Sequence, residues 1–418
     1  MPAVEIGPVV IIGCGPAGAS CALKLKKSAE ARGARLPIIV YEGKRLDRKS
    51  YYNQCLGVLS PPLEAILEKE LGVPFPWPII QRKIEGYVLH ADGTAIMLEG
   101  RMSPSYACRR VEFDNYLYLK VREAGIPIVP ARVTDLDFSA DGVMVYSEMD
   151  NVKAGLVVGA FGLDDGMAKI FERATDYRMP AFLSSVVTKV HPGETAMGRF
   201  GNRIHAFLPS SLRQVEFGAI TPKGNHLSIN VAGRGIDAGT LDDFLRLDEV
   251  CEALEGACGS ELPPLTYFKG KFPTLPARAP YGKRYVMIGD AAGLNRPFKG
   301  KGINSAVITG IRAAEAIAAL GGSAKAFKKY LESCAELTQD IPYGRILRAL
   351  VNGCSRFGLM EGVLDDAGRE PALRRAMFNI VSGQETYKKT WQETRNVGLM
   401  WRILISSVRR RFGRSPKG

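Results

Sequence analysis

Three glycines with the spacing of a phosphate-binding turn follow the first apolar segment of the chain. The segment Val9-Val10-Ile11-Ile12 leads directly into Gly13-Cys14-Gly15-Pro16-Ala17-Gly18. In a dinucleotide site the first glycine makes the turn, the second lets the backbone approach a pyrophosphate, and the third packs the next helix on the strand. The N–H groups at the start of that helix attract phosphates. The pattern predicts dinucleotide contacts at Gly13, Gly15, Pro16, Ala17 and Gly18.

An acidic residue ends the second apolar segment, over residues 36–41. Glu42 stands where an acidic side chain accepts hydrogen bonds from ribose hydroxyls. Such a residue suits an unphosphorylated ribose and argues against NADP at this site. Because strand, helix and Glu42 lie within a unit of the expected length, a dinucleotide site is favoured over an unrelated glycine-rich turn.

A second glycine-rich segment lies far downstream and has a different pattern. Tyr285-Val286-Met287-Ile288 leads into Gly289-Asp290-Ala291-Ala292-Gly293, and Gly300-Lys301-Gly302-Ile303-Asn304 follows. The Asp290 carboxylate could accept a hydrogen bond from a ribityl hydroxyl. A helix over residues 303–320 would point its N-terminal amides at a flavin pyrimidine, which is anionic when reduced. The two segments together predict a chain wrapped around an extended FAD. The sequence has no second complete Gly-x-Gly-x-x-Gly turn, so a separate NAD(P)H domain is not predicted.

Composition indicates a folded chain of more than one domain and excludes several protein classes. The 418 residues are 46% hydrophobic and 24% charged, which is ordinary for globular proteins. No apolar run reaches the ~20 residues of a membrane-spanning helix. Eight cysteines and four histidines without metal-ligand spacing predict no metal site. With no signal peptide before the first strand, a reduced cytoplasmic location is expected. Cys251 and Cys258 are interpreted as free thiols, with a bridge as the alternative.

Basic residues are concentrated near the C-terminus of a chain whose net charge is +13. Residues 397–411 have apolar side chains at helical spacing, including Trp401, and end in Arg409-Arg410-Arg411. A basic amphipathic helix with tryptophan is typical of a segment lying on an anionic membrane surface. Packing of the same helix on the protein's own body is an equal alternative. Nucleic-acid binding is not predicted, because no recognition fold accompanies the charge.

The order of strand and helix patterns predicts an α/β fold with three parts. A discontinuous Rossmann-like FAD-binding domain is predicted over residues 1–60, 103–162 and 272–322. Residues 61–102 and 163–271 are predicted to form an antiparallel β-sheet substrate domain, which would cover a cavity over the flavin. Its β-rich runs lie between residues 182 and 231, and a hairpin over residues 86–98 could join them. Residues 323–418 are predicted to be a C-terminal helical region with a basic amphipathic tail.

Further motifs carry a resemblance to a known family. Besides both glycine-rich segments, they are Gln54-Cys55-Leu56-Gly57-Val58-Leu59-Ser60, Arg109-Arg110-Val111-Glu112-Phe113-Asp114 and Ser382-Gly383-Gln384-Glu385-Thr386-Tyr387. With these motifs the chain resembles the geranylgeranyl reductase family, within the para-hydroxybenzoate-hydroxylase-like superfamily of FAD proteins.

The resemblance implies a role for individual residues. Glu42 would bind the adenosine ribose, Arg110 the phosphate–ribityl region and Asp290 the ribityl chain. Cys55 would lie beside the isoalloxazine and is the candidate catalytic residue; a small apolar packing role is its alternative. The remaining implied FAD contacts are Leu56, Arg109, Val133, Gly300, Gly302, Ile303 and Asn304.

The resemblance also implies an activity. It predicts an FAD-dependent reductase of carbon–carbon double bonds in a hydrophobic, isoprenoid or lipid-like substrate. The electron donor would be NAD(P)H or a ferredoxin-like protein, and the location would be cytoplasmic or peripheral to the inner membrane face. The alternatives are an FAD monooxygenase of a hydrophobic or aromatic substrate and a membrane-surface flavoprotein that passes electrons to quinone.

Overall fold

The computed structural model describes residues 7–44, 55–99, 103–254, 264–296 and 302–394. The predictions for Gly300 and for a helix over residues 397–411 fall outside these ranges.

The strands are short, and most are joined by helices or tight turns. In chain order they are β1 (Val9–Ile12), β2 (Ile38–Tyr41), β3 (Val58–Leu59), β4 (Ile80–Ile84), β5 (Gly86–Ala91), β6 (Thr94–Glu99), β7 (Ser105–Cys108), β8 (Ile128–Val129), β9 (Val133–Phe138), β10 (Val143–Ser147), β11 (Asn151–Ala154), β12 (Leu156–Gly159), β13 (Phe182–Val190), β14 (Arg203–Phe207), β15 (Val215–Pro222), β16 (Leu227–Gly233), β17 (Phe268–Pro273), β18 (Tyr281–Gly282) and β19 (Tyr285–Met287).

The helices are concentrated in the last third of the described chain. In chain order they are α1 (Pro16–Glu30), α2 (Leu63–Ile66), α3 (Arg110–Glu123), α4 (Asp165–Ala174), α5 (Glu194–Phe200), α6 (Ala238–Leu245), α7 (Asp248–Ala253), α8 (Gly302–Leu320), α9 (Ala324–Ser333), α10 (Ala335–Thr338), α11 (Ile341–Arg356), α12 (Met360–Arg369), α13 (Pro371–Ser382) and α14 (Tyr387–Thr394). A π-helical turn, Leu67–Leu71, continues α2, and a 3-10 turn, Gly289–Ala291, follows β19.

A six-stranded sheet forms the centre of the cofactor-side layer, in the order β18-β19-β12-β1-β2-β8. All its pairs are parallel except β18–β19. The four residues of β1 are almost fully buried, as expected for a parallel strand covered on both faces. The predicted α/β fold with a Rossmann-like sheet is therefore confirmed.

Helices α1 and α8 cross at very short distance and bring the two glycine-rich segments together. A Cβ at Gly310 in α8 would lie 2.3 Å from the carbonyl oxygen of Ala17 in α1. A Cβ at Gly289, which has a φ of +61°, would lie 2.8 Å from the Cβ of Ala17. Only glycine permits this approach at both positions. The second segment is thereby held against the first turn of α1.

A seven-stranded sheet forms the second layer, in the order β17-β13-β16-β15-β14-β5-β6. The predicted hairpin, β5–β6, joins this sheet as expected. The sheet is antiparallel as predicted except at one pair, because β5 pairs with β14 in parallel. The two strands come from distant parts of the chain, and no turn between them dictates their relative direction.

Two predicted domain boundaries fall inside sheets. The boundary before residue 272 lies within β17, which pairs with β13 of the large sheet. The boundary before residue 103 divides a small sheet in which β7 pairs with both β3 and β4. A third small sheet, β9-β10-β11, lies on the cofactor side.

The C-terminal helices pack on the outer end of the large sheet. Met360 and Leu364 of α12 and Phe378 of α13 share a hydrophobic cluster with Tyr87 and Leu89 of β5. Arg296, within the second glycine-rich segment, donates to the carbonyl oxygens of Gly383 at 2.6 Å and Glu385 at 3.1 Å. The predicted closing segment, residues 382–387, is therefore tied directly to the cofactor side.

Two further features bear on the composition arguments. Cys251 is disulfide-bonded, so its prediction as a free thiol is wrong; the prediction for Cys258 falls outside the described residues. One described helix, α8, is long and apolar enough to cross a membrane, but 67% of its apolar window is buried inside the structure, as in a core helix.

Candidate functional site

The glycine turn after β1 has one open position between two crowded ones. A Cβ at Gly13 would lie 2.6 Å from the carbonyl oxygen of Ala160, and a Cβ at Gly18 would lie 1.9 Å from that of Gly13. A Cβ at Gly15 would meet nothing within 4 Å. Gly13 and Gly18 are thus required by the protein's own packing. The space beside Gly15 is available to a ligand.

The start of α1 leaves its N–H groups free for an anion. Gly15 is the N-cap and supplies no side chain to bind them, and Pro16 follows as the first helical residue. Ala17 is buried against Gly289 and Gly310. A pyrophosphate beside Gly15 would meet the free N–H groups at the positive end of the helix dipole.

Glu42 lies beside this turn, at the carboxyl end of β2. Its Oε2 accepts a hydrogen bond from the backbone N–H of Cys14 at 2.8 Å, and its Oε1 accepts one from that of Lys44 at 2.9 Å. Each carboxylate oxygen retains a lone pair for a ribose hydroxyl. The backbone N–H of Glu42 donates to the carbonyl oxygen of Val129, four residues before the buried Val133. Glu42 and Val133 are therefore on adjacent segments, as an adenosine site requires.

Arg110 lies at the first turn of α3 and links this helix to Cys55. Its Nε donates to Oδ1 of the buried Asp114 at 2.7 Å, and its Nη1 lies 3.8 Å from the Cys55 sulfur. Arg109, the N-cap of α3, forms an ion pair with Glu112 at 3.3 Å. The guanidinium of Arg110 is thus held in place and has further N–H groups for a phosphate or a ribityl oxygen.

Asp290 provides the hydrogen-bond acceptor of the second glycine-rich segment. Its Oδ1 lies 3.9 Å from the position of a Cβ at Gly302, the first residue of α8. Burial raises the pKa of Asp290 to about 6, although the nearby charge of Arg110 opposes the shift. None of the described residues donates a hydrogen bond to its carboxylate. A half-buried acceptor that receives no hydrogen bond from the described residues fits a site that receives a hydroxyl.

The remaining implied contacts differ in what their side chains can do. Ile303 is buried at the start of α8, and Leu56 packs against the hydrophobic cluster of the large sheet. The amide nitrogen of Asn304 donates to the carbonyl oxygens of Ser60 at 3.0 Å and Pro61 at 3.3 Å. Asn304 therefore holds the segment that follows Cys55 rather than offering its amide nitrogen to a flavin.

The structure adds a residue that the sequence analysis missed. Lys223 lies in the β15–β16 turn and is only 2% exposed. Its charge acts on the thiol of Cys108, lowering a pKa that burial raises. A lysine in a Pro-Lys-Gly-Asn turn is usually solvent-exposed, so only its position in the fold reveals it.

These residues fit an FAD in its extended form. The free helix N-terminus and the open Gly15 suit the pyrophosphate, Glu42 suits the ribose, and the unsatisfied Asp290 suits the ribityl chain. All of them lie on the cofactor-side layer, which the α1–α8 crossing holds together.

Comparison with known proteins agrees with this geometry. No family model matches the chain. The chain is 26% identical over 370 residues to a digeranylgeranylglycerophospholipid reductase of Methanococcus vannielii, covering 82% of this chain and 87% of the relative. It is 27% identical over 333 residues to protein FixC of Bradyrhizobium diazoefficiens, covering 74% of each.

Solved structures show the same fold at lower identity. A geranylgeranyl bacteriochlorophyll reductase-like protein from Thermoplasma acidophilum superposes with a TM-score of 0.67 at 16% identity, covering 96% of both chains. The flavin-dependent brominase Bmp2 superposes with a TM-score of 0.65 at 17% identity, covering 97% of this chain and 99% of the brominase. The fold is therefore one that flavin enzymes of different reactions share.

Proposed function

We propose that this chain, a geranylgeranyl reductase-like FAD-dependent oxidoreductase in sequence and fold, reduces carbon–carbon double bonds of a hydrophobic, isoprenoid or lipid-like substrate. The observation that carries the cofactor part is the contact between the two glycine-rich segments, through Ala17, Gly289 and Gly310. The sequence relatives favour a reductase over the other reactions of this fold.

The chain's own residues have separable tasks in this proposal. Bound FAD would supply the hydride chemistry. Gly15 and the start of α1 would hold its pyrophosphate, while Arg110 and Asp290 would orient the middle of the molecule. The large sheet would cover the site and exclude water.

Cys55 is proposed as the proton source. Its thiol is exposed and lies 3.8 Å from Arg110 Nη1. The backbone N–H of Gly57 also donates to its sulfur at 3.3 Å, which fixes the side chain. Reduction of a double bond requires a proton at the second carbon, and an oriented thiol can give one from Sγ.

The test is anaerobic turnover. The purified, FAD-loaded protein is reduced with dithionite without oxygen and mixed with geranylgeranyl lipids, and flavin reoxidation is followed by its absorbance. Reoxidation with formation of saturated product supports the reductase. Reoxidation only after oxygen is admitted, with an oxygenated product, would show the alternative to be correct.

That alternative is a monooxygenase of a hydrophobic or aromatic substrate. The shared fold with the brominase is compatible with this alternative as well, because fold alone does not decide the reaction of a flavin enzyme. A third arm of the same assay adds a quinone instead of a lipid, which tests electron transfer at a membrane surface. NAD(P)H and a reduced ferredoxin are compared as electron donors in place of dithionite.

A further inference from the structure

A polar row crosses one face of the large sheet. Lys189 of β13 and Thr221 of β15 both lie opposite Ser228 of the central strand β16. The neighbouring residues Ile220 and Ile229 point the other way, into a hydrophobic cluster. Because side chains alternate along a strand, Lys189, Ser228 and Thr221 share the opposite face. Lys223, two residues beyond Thr221, continues this row at the end of β15.

The backbone around Lys223 is fixed by hydrogen bonds, whereas its ammonium has no hydrogen-bond acceptor among the described residues. Arg82 donates to the carbonyl oxygens of Lys223 at 2.9 Å and Gly224 at 3.2 Å. The backbone N–H of Lys223 donates to the carbonyl oxygen of His226 at 2.9 Å. No described residue accepts a hydrogen bond from the Lys223 ammonium, although the residue is only 2% exposed.

Three other buried polar atoms in the same region also have no partner among the described residues. They are Oγ1 of Thr221, Nε2 of His226 and Oδ1 of Asn230. A buried polar group without a hydrogen-bond partner is destabilising, and few such groups remain in native structures. Several such groups on one surface indicate that a polar ligand completes their hydrogen bonds.

The charge of this region identifies the ligand as an anion. Burial, together with the charges of Lys189 and Arg109, lowers the pKa of Lys223 to about 8, while the thiols of Cys55 and Cys108 oppose the shift. Burial also lowers the pKa of His226 to about 4, with Lys223, Lys189, His191 and Arg109 adding to the effect. Among the described residues, the carboxylate of Glu112 acts on Lys189, and it is already paired with Arg109.

The cluster of Lys223, Lys189 and Arg109 lies beside the proposed reaction site. Arg82, which holds the Lys223 turn, is in β4 opposite Ala107 of β7. Arg109 follows two residues later at the start of α3. The Cys108 backbone N–H donates to the carbonyl oxygen of Gly57, next to the Cys55 segment. An anion bound to this cluster would therefore be close to the proposed proton donor.

We propose that Lys223, Lys189 and Arg109, with Thr221 and His226, bind the phosphate or diphosphate group of an isoprenoid or lipid substrate. This inference rests on the proposed function, because the apolar part of that substrate must reach the flavin. The cluster would hold the charged end and fix which double bond lies over the reacting face. A neutral prenyl alcohol would lack this anchor.

The test compares Lys223→Met with Lys153→Met, a control whose side chain is on the surface and paired with Asp141. Dissociation constants of geranylgeranyl diphosphate and geranylgeraniol are measured by titration of the FAD-loaded, oxidised proteins, followed by flavin fluorescence. We expect Lys223→Met to weaken diphosphate binding at least tenfold and leave alcohol binding unchanged. Lys153→Met should bind both as the wild type does, and Lys223→Arg should keep most of the diphosphate affinity.

Two further arms distinguish the source of the phosphate. Inorganic diphosphate and a geranylgeranylated phosphoglycerolipid in micelles are used as competitors. Competition by the lipid alone assigns the site to a lipid headgroup, and competition by inorganic diphosphate assigns it to the free phosphate group. Competition by either compound supports the anion site. If neither compound competes, the anion site is overturned.

Other results would contradict the proposal in recognisable ways. Equal loss of diphosphate and alcohol binding in Lys223→Met would assign Lys223 to packing. Unchanged diphosphate binding with weaker FAD binding or a shifted flavin potential would assign it to the cofactor. Binding is measured without turnover, so a chain that binds the diphosphate through Lys223 but never reduces it would refute only the proposed function.

Discussion

The carboxylate of Glu42 is joined to the backbone N–H of Cys14 by a 2.8 Å hydrogen bond that spans 28 residues of sequence. The bond ties the end of β2 to the glycine turn before any ligand is present. Both predicted FAD-binding elements of the N-terminal unit are therefore preorganised relative to each other.

Glu42→Gln tests the ribose contact without removing this bond, because the glutamine Oε1 can still accept from Cys14. We expect FAD affinity to fall about tenfold, since a charge-assisted hydrogen bond becomes a neutral one. The dissociation constant is measured by titrating apoprotein with FAD. An unchanged constant would place the ribose elsewhere.

Gly15→Val should abolish FAD retention while leaving the fold intact. The Gly15 backbone has a φ of −69°, which any residue adopts, and its Cβ meets no atom within 4 Å. Gly18→Val is the contrasting variant, because its Cβ would overlap the Gly13 carbonyl and disrupt folding itself. Flavin content and circular dichroism are measured together. A yellow Gly15→Val protein would contradict the pyrophosphate assignment.

Asp290→Asn should change how the apoprotein's stability depends on pH. The folded chain keeps the Asp290 proton to about pH 6, whereas an unfolded aspartate loses it near 3.8. The stabilisation from this residue is therefore complete below about pH 4 and is lost as the pH rises through 6. Denaturant unfolding at several pH values should show this loss in the wild type and not in Asp290→Asn. If the free energy of unfolding depends on pH in the same way in both proteins, the pKa of Asp290 is not raised in the folded chain.

Asp290 should also matter to the cofactor. Asp290→Ala would remove the predicted charge-assisted hydrogen bond to the ribityl chain, and such a bond is worth about 1.5–3 kcal/mol. FAD titration should show an affinity loss of roughly ten- to a hundredfold. Wild-type affinity in this variant would indicate that the second segment has been misinterpreted.

Arg348→Met should destabilise the attachment of the C-terminal helices. Arg348 of α11 makes two hydrogen bonds of 2.8 Å to Glu216 of β15, and both side chains are largely buried. Loss of Arg348 leaves the buried Glu216 carboxylate without this counter-charge, although Asn352 still donates to it at 2.7 Å, and removing one partner of a buried pair costs about 3 kcal/mol. Lys120→Met, which breaks an exposed pair with Glu123, should cost less than about 1 kcal/mol. Chemical denaturation measures both, and equal effects would contradict the buried-pair argument.

Truncation after Thr394 tests the proposed membrane contact of the basic C-terminal segment. Thr390 is fully buried in α14, and Trp391 packs on Leu347 and Tyr387, so an earlier end would damage the fold. We expect the intact chain, but not the truncated one, to sediment with anionic vesicles, and high salt to weaken this binding. A lower melting temperature after truncation, with no vesicle binding by the intact chain, would support packing on the protein instead.

The local sequence was sufficient to predict the elements whose geometry is determined by residues close together in the chain. The β1–α1 turn, the helix after Gly302 and the β15–β16 hairpin are each specified by glycine positions and by apolar periodicity within a short stretch. The parallel pairing of β5 with β14 and the burial of Lys223 were not predictable in this way. Both depend on which distant segments meet, and a lysine in a turn has no sequence mark that separates a buried ammonium from an exposed one.

The α1–α8 crossing also bears on how the protein acquires its cofactor. Ala17 and Gly310 meet across almost three hundred residues of intervening chain, so the contact forms only after most of the protein has been synthesised. Long-range contacts of this kind are slow to form, because the chain loses the entropy of loop closure before the contact contributes any stabilising energy. The N-terminal glycine turn can fold early with β1 and β2, but it would hold only the adenosine half of FAD. Stable loading of the flavin should therefore be a late event in folding, and an N-terminal fragment that lacks α8 should remain colourless.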